Sequence, residues 1–504
     1  MPDREVPAYH DLMRIPPTAR RRTRAVEDVP STGAQPSEAP VEAKSHRRFR
    51  LGNGGARQKL SILSTFGASQ LLVFVTGVAR IPIVIHTLGT SGYGLLLAIA
   101  SLLPWVALVV GSLTNLARAH IAECIGASDA DGARHVLASL KRSARKMSLG
   151  IIMIGVLLAG LLPWSAILGA SGTASTGQLR LSIGISAILM ATATSGAVSL
   201  GVMHAYRRVA IAQALPGAGA VVSLAATVVA LEAHWSLLAF VVATSLATCC
   251  PYWLATLLGK KSVRMVQRGV LDHRALLASA SIASSSGRKI NARALVVMTG
   301  AAAPPLFSTG LDPIVLSLAI GPVAVASYGL ATRLGLLVTL LPAGLYPLLW
   351  ANFARIRATG DAKRLRAEYW RELRLVVGGT ALLAVAFALF GPEAARLVGG
   401  GKVAVPELLY ASVSALGVLV AIQAVTLPVL GGRKTAPWTA GLVYGLVIPN
   451  VALSYVLAKQ VGPAGPILAS IVATTLFLCA CWWLVKRDPS RLVDAVPARA
   501  DGPA

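Results

Sequence analysis

Charge is what this chain has least of. Only 13% of its 504 residues are Asp, Glu, Lys or Arg, against 55% hydrophobic, and mean hydropathy is +0.66. A soluble protein needs more polar surface, so the composition excludes an ordinary soluble enzyme and a wholly disordered chain. Acidic residues are the scarcer sign: 21 against 47 basic ones, a formal charge of +26. In a soluble protein that excess would suggest nucleic acid. Here most of it lies between long apolar runs, which points to a membrane surface and not to nucleic acid. Cysteine is rare too. The five (Cys124, Cys249, Cys250, Cys479 and Cys481) do not make a disulfide framework, and four lie inside apolar runs. They read as reduced small residues, with a metal or redox role for Cys479-x-Cys481 the less favoured alternative. Several chemical signatures are missing. No glycine-rich phosphate loop ends in Lys-Ser/Thr, as an ATP-driven pump would require. No His/Glu or Cys spacing suits a metal, and no carboxylate pair suits glycosyl chemistry. The sequence thus predicts no cofactor, no metal and no enzyme.

What is present is a succession of apolar runs. A spanning helix needs about 20 residues, and twelve candidates follow Lys59: 60–87, 92–117, 147–170, 179–203, 209–231, 235–258, 294–321, 325–350, 375–398, 404–430, 437–457 and 463–485. The runs are continuous rather than alternating, so helices are expected and not a barrel. Residues 1–59 differ, with 12 Lys/Arg, 7 Asp/Glu and no apolar run. They read as a disordered basic tail, not a cleavable signal peptide. Its clusters at Arg20–Arg24 and Arg47–Arg50 suit either anionic lipid headgroups or a solvated role in setting topology. With both termini placed in the cytoplasm, the inner connections hold 29 Lys/Arg and the outer ones 4. That asymmetry predicts an even number of spans in the cell membrane. The segment from Ala362 to Arg374 carries charges on one side and Leu365, Tyr369 and Leu373 on another. It predicts an amphipathic helix lying in the membrane interface.

Shifting the sequence by 232 residues brings out a weak internal repeat. Arg80 through Gly89 aligns with Asp312 through Gly321, and Asp129 with Asp361. Tyr93-Gly94 and Tyr328-Gly329 match with a three-residue length difference. The repeat predicts an all-α polytopic membrane protein of twelve transmembrane helices in two pseudo-twofold-related six-helix lobes. The N-lobe takes residues 60–292, including the inter-lobe loop, and the C-lobe 293–485, followed by a cytoplasmic tail at 486–504. Two such lobes enclosing a central cavity are a layout for alternating access.

A charge at the bilayer centre costs about 3 kcal/mol or more, and inside the predicted spans such residues are few: Arg80, Asp312 and Arg333. They either line a wet cavity or, for Arg80 and Asp312 at equivalent repeat positions, form an ion pair fastening the lobes. An arginine fork suits phosphate oxygens, whereas a cation exporter calls for carboxylates. Pro304-Pro305 in the seventh run predicts a broken helix, either a hinge or a tolerated kink.

Leu88-Gly89-x-x-x-Tyr93-Gly94, Gly126-Ala-Ser-Asp129, Leu311 through Gly321, Tyr328-x-x-Ala331-x-Arg333-Leu334 and Ala358-Thr-Gly-Asp361 resemble bacterial polysaccharide flippases of the multidrug/oligosaccharidyl-lipid/polysaccharide superfamily. The resemblance covers roughly residues 55–485. It implies two lobes forming a V, and passage of a polyprenyl-pyrophosphate-linked oligosaccharide from the inner to the outer leaflet. On that reading Arg80 and Arg333 bind the pyrophosphate, Asp312 gates or couples, and glycan polymerases or glycosyltransferases are possible partners. A cation-coupled drug antiporter of the same fold and a non-transporting scaffold are the alternatives.

Overall fold

The computed structural model describes residues 53–126, 129–170, 174–206, 208–232, 236–268, 310–358, 361–430 and 435–487. Of the disordered tail expected at 1–59, residues 1–52 lie outside the described residues, and 53–59 are already helical, as the start of the first helix; the hinge at Pro304-Pro305, most of the seventh run and residues 488–504 of the C-terminal tail also lie outside them. The described elements are helical: α1 (Asn53–Ala100), α2 (Leu103–Gly126), α3 (Ala130–Leu161), α4 (Trp164–Ile167), α5 (Thr176–Ala205), α6 (Val209–Glu232), α7 (Leu237–Leu258), α8 (Lys260–Gln267), α9 (Asp312–Ile320), α10 (Pro322–Ala358), α11 (Ala362–Gly399), α12 (Glu407–Leu430), α13 (Ala436–Val461) and α14 (Gly465–Arg487). A 3₁₀ turn, Gly462–Ala464, links the last two.

Among the described residues, nine stretches are long and apolar enough to cross a membrane. Two of them, Ser64–Ala122 and Pro437–Leu484, run to 59 and 48 residues. At 1.5 Å per residue each has the length of two crossings of a roughly 30 Å hydrocarbon core. Backbone breaks divide them: Gly89 is non-helical (φ 70°, ψ 177°) within α1, and Gly462 has φ 78° between α13 and α14. Side chains on outward faces confirm that apolar surface is presented all round. Met153 on α3 is 72% exposed and Leu397 on α11 is 84% exposed, which suits lipid and not water.

The repeat is visible in the backbone. Gly321, 232 residues after Gly89, adopts nearly the same conformation (φ 96°, ψ 171°) between α9 and α10. Only glycine reaches that region without strain. Asp129 and Asp361 are both helix N-caps with closely similar dihedrals; their side chains accept from the amides of Gly132 at 2.7 Å and Arg364 at 2.9 Å. A short carboxylate there satisfies an otherwise orphaned amide. Because both landmarks keep the same spacing, no insertion lies between them. Tyr93 and Tyr328 therefore occupy positions about one helical turn apart in the two halves, not the equivalent positions that the length-difference alignment gave them.

The two halves meet where repeat-related residues touch each other. A Cβ on Gly94 would fall 1.7 Å from the Pro322 carbonyl oxygen and 3.2 Å from the amide nitrogen of Ala326, its own repeat mate. Leu97 Cδ1 lies 2.0 Å from where a Cβ of Gly329, its mate, would sit. Contacts between equivalent residues mark a pseudo-twofold axis, as in an isologous dimer.

One large apolar cluster joins the halves around this axis, from Ile81, Leu95 and Leu168 in the first to Leu316, Val325 and Leu334 in the second. Toward the basic ends the cores separate. Val110, Leu140 and Val202 belong to one cluster, and Phe353, Leu373 and Val425 to another. The Phe66 ring of α1 reaches α10 beside Gly344 at this end, 3.3 Å from where a Cβ would stand.

Two local features differ from expectation. The amphipathic segment from Ala362 does not lie apart in the interface; it is the first third of the continuous 38-residue α11. No glycine or proline interrupts it before Val376, so the helix runs straight into the span. Its apolar face packs on protein: Leu365 and Leu373 are buried with Phe353 and Val425, and the Tyr369 hydroxyl meets Thr426 Oγ1 at 3.2 Å. The second crossing, in turn, is broken at Ser101–Leu102, where Pro104, lacking an amide hydrogen, sits in the first turn of α2.

Candidate functional site

Arg80 lies nine residues before Gly89, and Arg333 twelve after Gly321. At 1.5 Å per residue, both are roughly 14–18 Å along their helices from the turns, near mid-span. Arg80 is held within its own half. Its Nη1 donates to Ser223 Oγ on α6 at 2.6 Å, and Nη2 to Thr244 Oγ1 on α7 at 2.8 Å. The Thr244 hydroxyl hydrogen goes to the Phe240 carbonyl at 2.8 Å, which leaves the oxygen free to accept. The buried Nε of Arg80 has no partner.

Asp312, 2% exposed, opens α9. Its Oδ2 accepts from the Tyr328 hydroxyl on α10 at 2.8 Å. No ion pair joins Asp312 to Arg80. Although the two occupy equivalent repeat positions, each finds its partners inside its own half, so the lobe-fastening pair considered from the sequence is not formed. A phenol is a weaker partner than a guanidinium but needs no second charge to be buried.

Arg333 sits on the part of α10 that follows the axis contacts and is exposed. No hydrogen bond or ion pair to another described residue holds it. Tyr93, 4% exposed, has a buried hydroxyl without a partner. The structure thus leaves Arg80 and Arg333, on opposite halves, without an acidic partner among the described residues, and sets Asp312 apart with Tyr328. Three donors on α1 and α10 are unclaimed: Arg80 Nε, the Tyr93 hydroxyl and the Arg333 guanidinium. Cations with spare donors and no paired carboxylate could each donate to an anion with several acceptor oxygens.

Sequence reasoning missed Ser223, Thr244, Tyr93 and Tyr328 as site residues. Serine and threonine are common in spanning helices, where they usually bond back to the preceding turn; only the fold shows which two face Arg80. The Tyr-Gly pairs had been noticed as repeat marks, and that was the available signal. A second cationic position was also missed. Arg118 lies within α2 and not in the connection after it, and Tyr346 on α10 packs edge-on against Trp350 with ring centroids 6.1 Å apart. Arg118 had been assigned to the basic connection after the second span, because it immediately follows the apolar run.

Arg357, 5% exposed, shows the other use of a buried guanidinium. Its Nη1 donates to the carbonyls of Pro428 and Val429, the unpaired acceptors at the C-terminus of α12.

No family model and no curated protein matches the sequence. Solved structures do match. An outward-facing MATE-family multidrug resistance transporter of the MOP superfamily aligns over 87% of this chain and 96% of its own, with a TM-score of 0.57 at 16% identity. The MATE multidrug transporter DinF-BH, solved as a complex, gives 0.58 at 18% identity, over 88% of this chain and 98% of that one. The lipid II flippase MurJ, in an inward closed conformation, gives 0.54 at 12% identity, over 84% and 87%. The chain shares the fold of these MATE transporters and of the flippase. An all-α polytopic membrane protein with twelve spans in two lobes, the architecture expected from the sequence, is the architecture of these multidrug transporters. The matched proteins are transporters and flippases, not enzymes.

Proposed function

We propose that this chain is a membrane transporter that flips a polyprenyl-pyrophosphate-linked oligosaccharide from the cytoplasmic to the outer leaflet by alternating access, in the assembly of cell-surface polysaccharide. The observation that supports this reading is the set of unclaimed donors on α1 and α10. Arg80 and Tyr93 on α1 and Arg333 on α10 have spare donors and no acidic partner among the described residues, which suits a pyrophosphate and disfavours a cation. In this reading Arg80 and Arg333 hold the pyrophosphate, the lipid tail stays in the bilayer, and Asp312 with Tyr328 gates or couples the movement. The protein sits in the cell membrane with both termini cytoplasmic, and a glycan polymerase or glycosyltransferase is its natural partner. Replacing Arg80 or Arg333 by Ala tests it. Surface glycan should fall and the lipid-linked intermediate should accumulate in the inner leaflet; normal glycan with an unchanged intermediate pool in both variants would remove these residues from the mechanism.

A second reading rests on Asp312, a buried carboxylate at the start of α9 bonded to one phenol, and on the multidrug transporters among the fold matches. It makes the chain a cation-coupled antiporter. Efflux of a fluorescent organic cation, driven by a proton gradient and abolished by Asp312→Asn, with surface glycan unaffected, would favour it.

A further inference from the structure

The junction of α7 and α8 carries a feature that the transport reading does not use. α7 is apolar to its last two residues, Leu257 (57% exposed) and Leu258 (48% exposed). Gly259 then turns the chain into α8, whose sequence Lys-Lys-Ser-Val-Arg-Met-Val-Gln is sharply two-faced. Ser262 and Val266, four residues apart, are buried against the bundle. Lys260, Lys261, Arg264 and Arg268 are exposed. Together with Leu257, Leu258 and Met265 they line a concavity of about 600 Å³.

Side chains from two other elements fix this geometry. Arg134 Nε donates to the Gln267 carbonyl at 3.1 Å, and Arg208 Nη1 to the Leu258 carbonyl at 3.4 Å. Both claim acceptors at the C-terminal ends of α8 and α7, where cations are favoured. The nearby acid, Asp131, is occupied by Arg134 at 2.8 Å. None of the four lining cations forms an ion pair with a described residue. Four like charges therefore crowd one concavity, at the point where an apolar spanning helix ends.

We propose that this concavity is a binding site for the headgroup of an anionic phospholipid, with the phosphate between Lys261 and Arg264 and an acyl chain along Leu257 and Leu258. Charge complementarity selects an anion, and the leucines beside the cations select one that carries hydrocarbon. A soluble polyanion such as nucleic acid or an acidic peptide would satisfy the cations but gain nothing from the exposed leucines.

The full chain is reconstituted in vesicles of phosphatidylcholine with or without phosphatidylglycerol, extracted gently, and its retained lipid counted by native mass spectrometry. Phosphatidylglycerol should be retained in preference to phosphatidylcholine. K261Q should lower that retention about 5-fold and K261Q/R264Q about 30-fold, the scale for one and two basic residues at an anionic surface. The pair K363Q/R366Q on the exposed face of α11 removes the same charge elsewhere and should leave retention unchanged. Equal losses for the two pairs would mean a diffuse basic surface and overturn the proposal. So would displacement of the lipid by inorganic phosphate, which would assign the site to a soluble anion. If K261Q/R264Q does not fold, K260Q, at an exposed position four residues before Arg264, carries the same comparison.

Discussion

Positions 80 and 312 are the same place in the two halves of a duplicated fold, yet one is an arginine and the other an aspartate. Arg80 is held by hydroxyls from two helices of its half, Ser223 and Thr244. Asp312 is held by a phenol on the next helix, Tyr328. The backbone devices around them are shared: Gly89 and Gly321 share a conformation, and Asp129 and Asp361 cap in the same way. The halves thus preserve what sets the path of the chain and differ in what meets the bilayer centre. A turn or cap works alike in either half. A charge at mid-span must be satisfied by neighbours, and in each half those neighbours come from different helices.

The sharpest test of that comparison exchanges the charges. Arg80→Asp and Asp312→Arg should each abolish transport, and combining them should not restore it, because the two side chains share no contact. Recovery in the double variant, measured by surface glycan, would show that they pair during the cycle. For Arg80→Ala, loss of a charge-assisted contact of about 1.5–3 kcal/mol predicts roughly 10- to 100-fold weaker binding of the pyrophosphate lipid. Next in size is the axis contact. Gly94→Ala drives a methyl into the backbone carbonyl of Pro322 and should cost about 3 kcal/mol in thermal unfolding. Gly329→Ala meets only the end of the Leu97 side chain, which can turn away, and should cost about 1 kcal/mol. Equal losses would mean that the halves do not meet backbone to backbone at Gly94.

Smaller and symmetric effects follow for the shared devices. Gly89→Ala and Gly321→Ala have open space for the methyl but a backbone region closed to other residues, so each should cost about 2 kcal/mol. Asp129→Ala and Asp361→Ala should each cost about 1 kcal/mol through loss of the cap. A large difference within either pair would mean that the repeat is one of path alone.

Much of this was legible beforehand. The spans follow from apolar runs, because a bilayer demands about 20 such residues in a helix. The 232-residue shift singled out Gly89 with Gly321 and Asp129 with Asp361 before their geometry was known. Arg80, Asp312 and Arg333 stood out because a charge in an apolar run is rare. Tyr93 and Tyr328 were paired wrongly, since identical dipeptides outweighed a constant spacing. The face carrying Leu365, Tyr369 and Leu373 was found correctly, but its occupant was taken to be lipid and is α12.

By itself the sequence determined that the chain is a helical membrane protein built twice over, because hydropathy and repetition are properties of the chain in one dimension. The tertiary structure decided that Arg80 turns to Ser223 and Thr244 rather than to Asp312, which turns to Tyr328. Partners more than 140 residues apart are chosen by how helices pack, and packing depends on the shapes of all the side chains at once.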